Sequence, residues 1–138
     1  MAEALLKKIV SDNGFSDSIT VSSAGLAATN DSPAAHNAIE VMKEHGLNLQ
    51  DHKSRKINSD ILKADLIITM TNRHKQMLVS FNNDLKDKTF TLKEYAGELH
   101  DLDIIDPYGG SIQIYRDTAT EINKYLQKIW QKKLKNII

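Results

Sequence analysis

The chain has 138 residues, of which 41% are hydrophobic and 26% are charged, so we expect one folded domain over 1–138 and exclude a disordered or fibrous protein. Lys and Arg number 18 and Asp and Glu number 18, and this balance gives no support to a nucleic-acid-binding or membrane-surface protein. The sequence contains no cysteine, which excludes disulfides, thiolate metal sites and cysteine nucleophiles among these residues.

The first half of the chain alternates predicted helices and strands. Apolar residues at helical spacing predict a helix over Ala2–Val10, and alternating β-branched residues predict a strand over Ser18–Ala24. A second helix is predicted to open at Pro33 and to end at Gly46. The continuous apolar run Asp65–Met70 then predicts a strand that is buried on both faces.

The second half continues the alternation. Either Thr71 or Asn72 is predicted to cap a third helix, and a weaker strand follows over Lys88–Leu92. The stretch Tyr95–Tyr108 is predicted to be a loop, with turn signals at Asp106-Pro107 within it and at Gly109-Gly110 just after it. From Ser111 onwards a sustained apolar stripe predicts one long amphipathic helix.

The order of these elements predicts an α/β fold. Strands that alternate with helices imply crossover connections and a parallel sheet that is covered on both faces. Three strands are few for such a sheet, and a doubly wound fold normally begins with a strand rather than a helix. The first predicted helix also has no capping residue ahead of Met1. Two explanations remain open: an ordinary frayed terminus, or a missing upstream segment.

Three stretches resemble the low-molecular-weight protein-tyrosine phosphatase family, and most closely its bacterial protein-arginine-phosphatase branch. They are Met1–Lys8, Val21–Gly25 with the helix after it, and Phe90–Tyr115, which contains the element Asp-Pro-Tyr-Gly-Gly. The resemblance covers essentially the whole chain. It implies a three-layer α/β/α sandwich with flavodoxin-like topology. In the family, a first strand and a Cys-x5-Arg phosphate loop precede the segment that matches Met1–Lys8, and we expect this chain to be truncated relative to the family.

The resemblance also implies roles for individual residues. It makes Asp106, which precedes Pro107, the general acid that protonates the leaving group and then the base that activates water. Without the resemblance, an Asp-Pro pair is more often a turn or a helix cap. Tyr108 is expected to form part of the wall beside the substrate, and Leu26 and Ala27 are expected to border the cleft.

The other polar residues receive structural interpretations. Asp101 and Asp103 are interpreted as solvated loop charges, and Arg55 as a surface or packing residue rather than a phosphate ligand. Ser22 and Ser23 are poor substitute nucleophiles because the sequence shows no base beside either hydroxyl. No pair among the 5 histidines has zinc-ligand spacing, and we expect neither a metal nor a cofactor.

The resemblance implies hydrolysis of phosphotyrosine or phosphoarginine in a protein substrate through a cysteinyl-phosphate, in the cytoplasm. Because the chain has no cysteine, we expect it to be inactive. The alternative is a cysteine-free pseudo-phosphatase that acts as a binding or regulatory module. An arsenate reductase of the same fold is disfavoured because its chemistry also needs cysteines. We expect no nucleic-acid or membrane partner. A missing central strand further predicts an unstable chain, a strand swap, or a homodimer that pairs through the gap.

Overall fold

The computed structural model of the chain describes residues 1–137. The helices are α1 (Ala2–Asp12), α2 (His36–Glu44), α3 (Asn72–Phe81), α4 (Leu92–Tyr95), α5 (Ile112–Ile129) and α6 (Lys135–Ile137). The strands are β1 (Ile67–Thr69) and β2 (Thr89–Thr91). Two 3-10 segments occupy Ile61–Lys63 and Asn83–Lys88, and a π-helical turn at Trp130–Leu134 joins α5 to α6.

The sheet consists of β1 and β2, which pair in parallel. Ile67 lies opposite Thr89, Ile68 opposite Phe90, and Thr69 opposite Thr91. Parallel neighbours need a crossover connection, and α3 with the 3-10 segment after it supplies one here. The predicted α/β class with a parallel sheet is therefore confirmed.

The strand predicted over Ser18–Ala24 is wrong. Within the described residues this segment joins no ladder, and the only bridge beside it is an isolated parallel one between Gly25 and Lys56. There the amide of Gly25 donates to the carbonyl oxygen of Arg55 at 2.9 Å. Alternating β-branched residues fit a pleated surface, but a strand forms only where a neighbour accepts its hydrogen bonds. Among the described strands, β1 pairs with β2 alone, so no neighbour reaches this segment.

The hydrophobic core lies between α1, α2 and α5. The stripe predicted for the long helix is confirmed, since all of its apolar members are buried: Tyr115, Ala119, Ile122, Leu126, Ile129 and Leu134. Trp130 is 2% exposed and contacts Phe15 edge to face, with ring centroids 5.5 Å apart. In the part of the chain that the structure describes, no helix is long and apolar enough to cross a membrane.

Candidate active site

The loop between α4 and α5 carries the Asp-Pro-Tyr-Gly-Gly element. Its tip is a tight turn in which the amide of Gly110 donates to the carbonyl oxygen of Pro107 at 2.8 Å. Gly109 has a φ of +79°, which L-residues with a side chain rarely adopt at this turn position. A Cβ on Gly110 would lie 2.9 Å from the Pro107 oxygen, so the turn has no room for a side chain there. The two glycines therefore set the path of the loop beside Asp106.

Asp106 is exposed and has a defined hydrogen bond. Its Oδ1 accepts from the backbone amide of Tyr108 at 3.0 Å, and the Tyr108 side chain is 81% exposed. Tyr115, on the first turn of α5, is buried nearby. Burial raises the pKa of the Tyr115 phenol, and the negative charge of Asp106 raises it further. The structure thus brings Asp106 and Tyr108 together and adds Tyr115, which the sequence pattern marked only as a core residue.

Within this loop, the segment 103–110, which contains Asp106, starts at the carboxyl end of β1. The amide of Ile104 donates to the carbonyl oxygen of Met70 at 2.8 Å, and the Ile104 side chain is buried in the core. The amide of Asn72 donates to Oδ1 of Asp103 at 2.7 Å. Asp103 is an exposed loop residue, as the sequence suggested, and its carboxylate in addition bonds the first residue of α3. The two residues are 31 positions apart, so nothing in the sequence indicated this contact.

The far end of the loop is held from α2. The side-chain amide of Asn37 donates to the carbonyl oxygen of Gly110 at 3.2 Å, across 73 positions of sequence. Ser111 then caps α5 by accepting from the amide of Ile114 at 3.3 Å. Asn37 is a residue that the sequence gave no reason to connect with this loop. The segment that contains Asp106 is therefore fixed at both ends.

Leu26 and Ala27 lie in the turn that follows the bridge at Gly25. Leu26 is half-buried and Ala27 is exposed. A Cβ at Gly25 would meet the Cβ of Ala28 at 2.7 Å, which shows how tightly this turn closes. Among the described residues, no hydrogen bond or ion pair joins Leu26 or Ala27 to Asp106. Their place beside the substrate remains a prediction.

Ser23 has a carboxylate partner that the sequence did not reveal. Its hydroxyl donates a hydrogen bond to Glu3 on the first turn of α1, and Lys7 donates to the same carboxylate at 2.6 Å. Burial works to raise the pKa of Glu3, but the hydrogen bonds from Lys7 and Ser23 outweigh it and the pKa is lowered. The statement that no base lies beside Ser23 is therefore wrong. A carboxylate held in its ionised form is nonetheless a weak base for activating a hydroxyl.

The lowered pKa of Glu3 predicts an acid-sensitive contribution to stability. A depressed folded-state pKa stabilises the folded chain above the ordinary glutamate value of 4.5, and this contribution is lost as the pH falls through the folded-state pKa. Glu3→Gln is therefore expected to lower the free energy of unfolding at neutral pH and to have little effect in acid. Urea unfolding at both pH values measures this. Glu40→Gln, on α2, is the matched control for the loss of one carboxylate, and an equal loss at both pH values for Glu3→Gln would contradict the assignment.

Residues 1–137 present no group of three or more His, Asp and Glu side chains that is arranged to hold a metal ion. Arg55, which is exposed, uses its backbone carbonyl rather than its guanidinium in the bridge to Gly25. The chemistry that this site offers is thus that of an exposed carboxylate on a fixed loop, flanked by two tyrosines. Such a group can give a proton to a leaving atom and take one from water.

Comparison with known proteins identifies the family. The family model described as "Low molecular weight phosphotyrosine protein phosphatase" matches residues 1–137. The chain belongs to this phosphatase family. It is 39% identical over 130 residues to a protein-arginine-phosphatase of Bacillus subtilis, covering 94% of this chain and 84% of that protein. It is 36% identical over 129 residues to a low molecular weight protein-tyrosine-phosphatase of Staphylococcus haemolyticus, covering 94% and 86%.

Solved structures of low-molecular-weight phosphatases share the fold. An arginine phosphatase from Geobacillus stearothermophilus superposes with a TM-score of 0.84 at 34% identity, covering 95% of this chain and 81% of that one. A low-molecular-weight protein tyrosine phosphatase from T. tengcongensis gives a TM-score of 0.87 at 34% identity, covering 95% and 88%. The fold class predicted from the sequence and from the family resemblance is thus confirmed.

Proposed function

We propose that this chain carries the acid–base part of a phosphoprotein phosphatase site, with Asp106 as the catalytic residue. In this role the Asp106 carboxyl gives its proton to the leaving oxygen or nitrogen as the bond to phosphorus breaks. The resulting carboxylate then takes a proton from the water that attacks the phosphoryl group. One residue serves both half-reactions because the first leaves it in the form that the second requires.

The observation that carries this proposal is the setting of Asp106. Its carboxylate is exposed at the tip of a fixed loop at the carboxyl end of β1, where parallel α/β sheets build their binding crevices. The hydrogen bond from the amide of Tyr108 orients Oδ1 and leaves the other carboxylate oxygen available. This hydrogen bond comes from an amide two positions on, which is also the geometry of an Asx turn, so it shapes the loop as well. Asp106 is not a helix cap, because Ser111 holds that position for α5.

The remaining predicted residues line the proposed cleft. The exposed ring of Tyr108 offers a wall for the side chain that bears the phosphoryl group. The small side chain of Ala27 and the half-buried Leu26 border the space on the other side, by resemblance to the family. Neither feature separates phosphotyrosine from phosphoarginine, and relatives carrying each name match this chain. A phosphorylated protein substrate and a cytoplasmic setting are carried over from the family.

The chemistry of this family also requires a nucleophile, and the 138 residues contain no cysteine. The hydroxyl of Ser23 is engaged by Glu3, whose lowered pKa makes it a weak base. We therefore propose that these residues alone do not turn over a phosphate ester or phosphoarginine. The test of Asp106 is a protein in which an apolar strand and a Cys-x5-Arg-Ser-Pro loop are joined ahead of Met1. Phosphatase activity that depends on Asp106 in that protein supports the role.

A cysteine-free binding module is the second candidate. Large apolar side chains stand exposed beside the site, with Ile105 at 80% and Tyr108 at 81%, and such residues often contact a partner protein. Binding of a phosphopeptide without turnover, lost on Tyr108→Ala, would favour this candidate. Absence of binding would leave the acid–base role of Asp106 as the better account.

Self-association is expected from the segment Ser18–Ala24, whose residues suit a strand but have no partner strand within residues 1–137. Open strand edges invite pairing with another chain, and a lysine on such an edge opposes it. We expect the chain to form concentration-dependent dimers, measured by sedimentation equilibrium, and expect Thr20→Lys to weaken them. Ser16→Lys adds the same charge outside the segment and is the matched control. A monomer at every concentration, with cooperative unfolding, would contradict pairing through this edge.

A further inference from the structure

Just before Asp106, the backbone leaves the hydrophobic core and enters solvent between Ile104 and Ile105. Ile104 is 2% exposed and its amide donates to the carbonyl oxygen of Met70 at 2.8 Å. The next residue, Ile105, is 80% exposed. Backbone motion at Ile104 would therefore also move Asp106, which lies two positions further on.

Asp103 contacts α3 although α3 already has a cap of its own. The hydroxyl of Thr71 accepts from the amide of His74 at 3.1 Å, which is the ordinary N-cap hydrogen bond. Asp103 adds a second acceptor from 31 positions away, bonded to the amide of Asn72 at 2.7 Å. Because α3 has its cap without it, the main consequence of this contact falls on the loop segment 103–110.

The Asp103 contact is also the stronger of the two side-chain contacts that hold the loop. A carboxylate that accepts from an amide at a helix N-terminus is charge-assisted and is favoured by the helix dipole. The contact at the far end joins neutral groups, since Asn37 donates to the carbonyl oxygen of Gly110 at 3.2 Å. The position of Asp106 thus depends more on the end at Asp103 than on the end at Gly110.

We propose that Asp103 is a positioning residue, which fixes the loop to α3 and so holds the Asp106 carboxyl at one place above the carboxyl end of β1. This role rests on the proposed function of Asp106. Proton transfer needs donor and acceptor held within hydrogen-bond reach, and a loop with one loose end samples many unproductive positions. Asp103 acts through the backbone and does not itself touch the substrate.

Amide hydrogen exchange, followed by NMR on the chain as it is, tests this role without any need for activity. Asp103→Ala is expected to speed exchange at Ile104 and Tyr108 by about tenfold, which is the scale of one lost hydrogen bond. Asp103→Asn keeps an oxygen acceptor and is expected to restore slow exchange at both amides. Asp17→Ala removes the same charge from an exposed position and is the matched control.

A second signature separates positioning from simple helix capping. The amide of Tyr108 donates to Asp106, so its proton chemical shift reports how fully that hydrogen bond is made. In Asp103→Ala this chemical shift is expected to move toward that of an amide without the hydrogen bond, since the contact is then averaged over many loop positions. Exchange that rises only at Asn72 and within α3, with Ile104 and Tyr108 unchanged, would overturn the proposal and leave Asp103 as a helix cap.

Asn37→Ala provides a further check, because it releases only the far end of the loop. Exchange at Ile104 is expected to stay slow in this variant. If Asn37→Ala and Asp103→Ala affect Ile104 equally, the loop loosens as a whole and Asp103 has no special part. These measurements do not depend on catalysis. A failure of the acid role of Asp106 is detected separately, by the kinetics of the protein that carries the added strand and Cys-x5-Arg-Ser-Pro loop ahead of Met1.

Discussion

Asp106→Asn is expected to lower kcat by about 10²–10⁴-fold in a protein that carries an apolar strand and a Cys-x5-Arg-Ser-Pro loop ahead of Met1, since that is the usual contribution of general acid–base catalysis. The loss should grow as the leaving group becomes poorer, because a weakly acidic alcohol needs its proton most. A series of aryl phosphates with leaving groups of rising pKa measures this slope. Phosphoarginine, whose leaving nitrogen also takes up a proton, extends the series.

Asp101→Asn is the matched control for this kinetic prediction. Asp101 lies on the same exposed loop and has a φ of 51°, a conformation that asparagine tolerates well. The substitution removes one negative charge near the site without touching the proposed acid. A slope against leaving-group pKa that is the same in Asp106→Asn as in the unsubstituted protein would contradict the acid role. So would an equal loss of activity in both variants.

The parts of the fold that follow from local pattern were predictable. The stripe from Tyr115 to Leu134 recurs at helical spacing, and its burial needed no further information. Only the structure shows that it packs against α1 and α2. The strand in the apolar run was equally clear, although only Ile67–Thr69 forms ladder pairs. The predicted burial on both faces is wrong, since Ile67 and Ile68 are only half-buried. Where a segment's own side chains decide its structure, the sequence is sufficient.

The segment Ser18–Ala24 shows the limit of such reasoning. Its residues have high strand propensity, yet hydrogen bonds to a neighbour decide whether a strand forms, and that information is not local. Within residues 1–137, β1 is paired on one side by β2 and no strand lies on its other side. The pattern predicted correctly which residues suit a strand and could not tell whether a partner is there.

The candidate site divides in the same way. Asp106 and Tyr108 were found because they are adjacent in one short element that resembles a family motif. Asp103 and Asn37 were not found, because their contacts span 31 and 73 positions and depend on how the loop, α2 and α3 meet. The partner of Ser23 was hidden for the same reason, since Glu3 lies 20 positions away on α1.

The unaltered 138-residue chain is expected to hydrolyse neither an aryl phosphate nor a phosphoarginine peptide above background. A general acid alone supplies about 10²–10⁴-fold, whereas the covalent nucleophile and the donors that hold the phosphoryl oxygens supply the rest of the acceleration. Because the chain has no cysteine, no thiolate attacks phosphorus, and proton donation by Asp106 to the leaving group then has no reaction to accelerate. Release of inorganic phosphate from purified protein, compared with buffer and with Asp106→Ala, measures this.

Ser23 is the hydroxyl whose involvement most needs testing, because it donates a hydrogen bond to a carboxylate, that of Glu3 on α1. If its oxygen attacked phosphorus, Glu3 would have to accept the proton, and the lowered pKa of Glu3 opposes that transfer. We therefore expect Ser23→Ala to be indistinguishable from the starting chain. Activity that survives repurification and disappears in both Ser23→Ala and Asp106→Ala would show that serine has replaced the cysteine. A phosphoserine at this position, trapped at low pH and detected by mass, would establish the same conclusion independently.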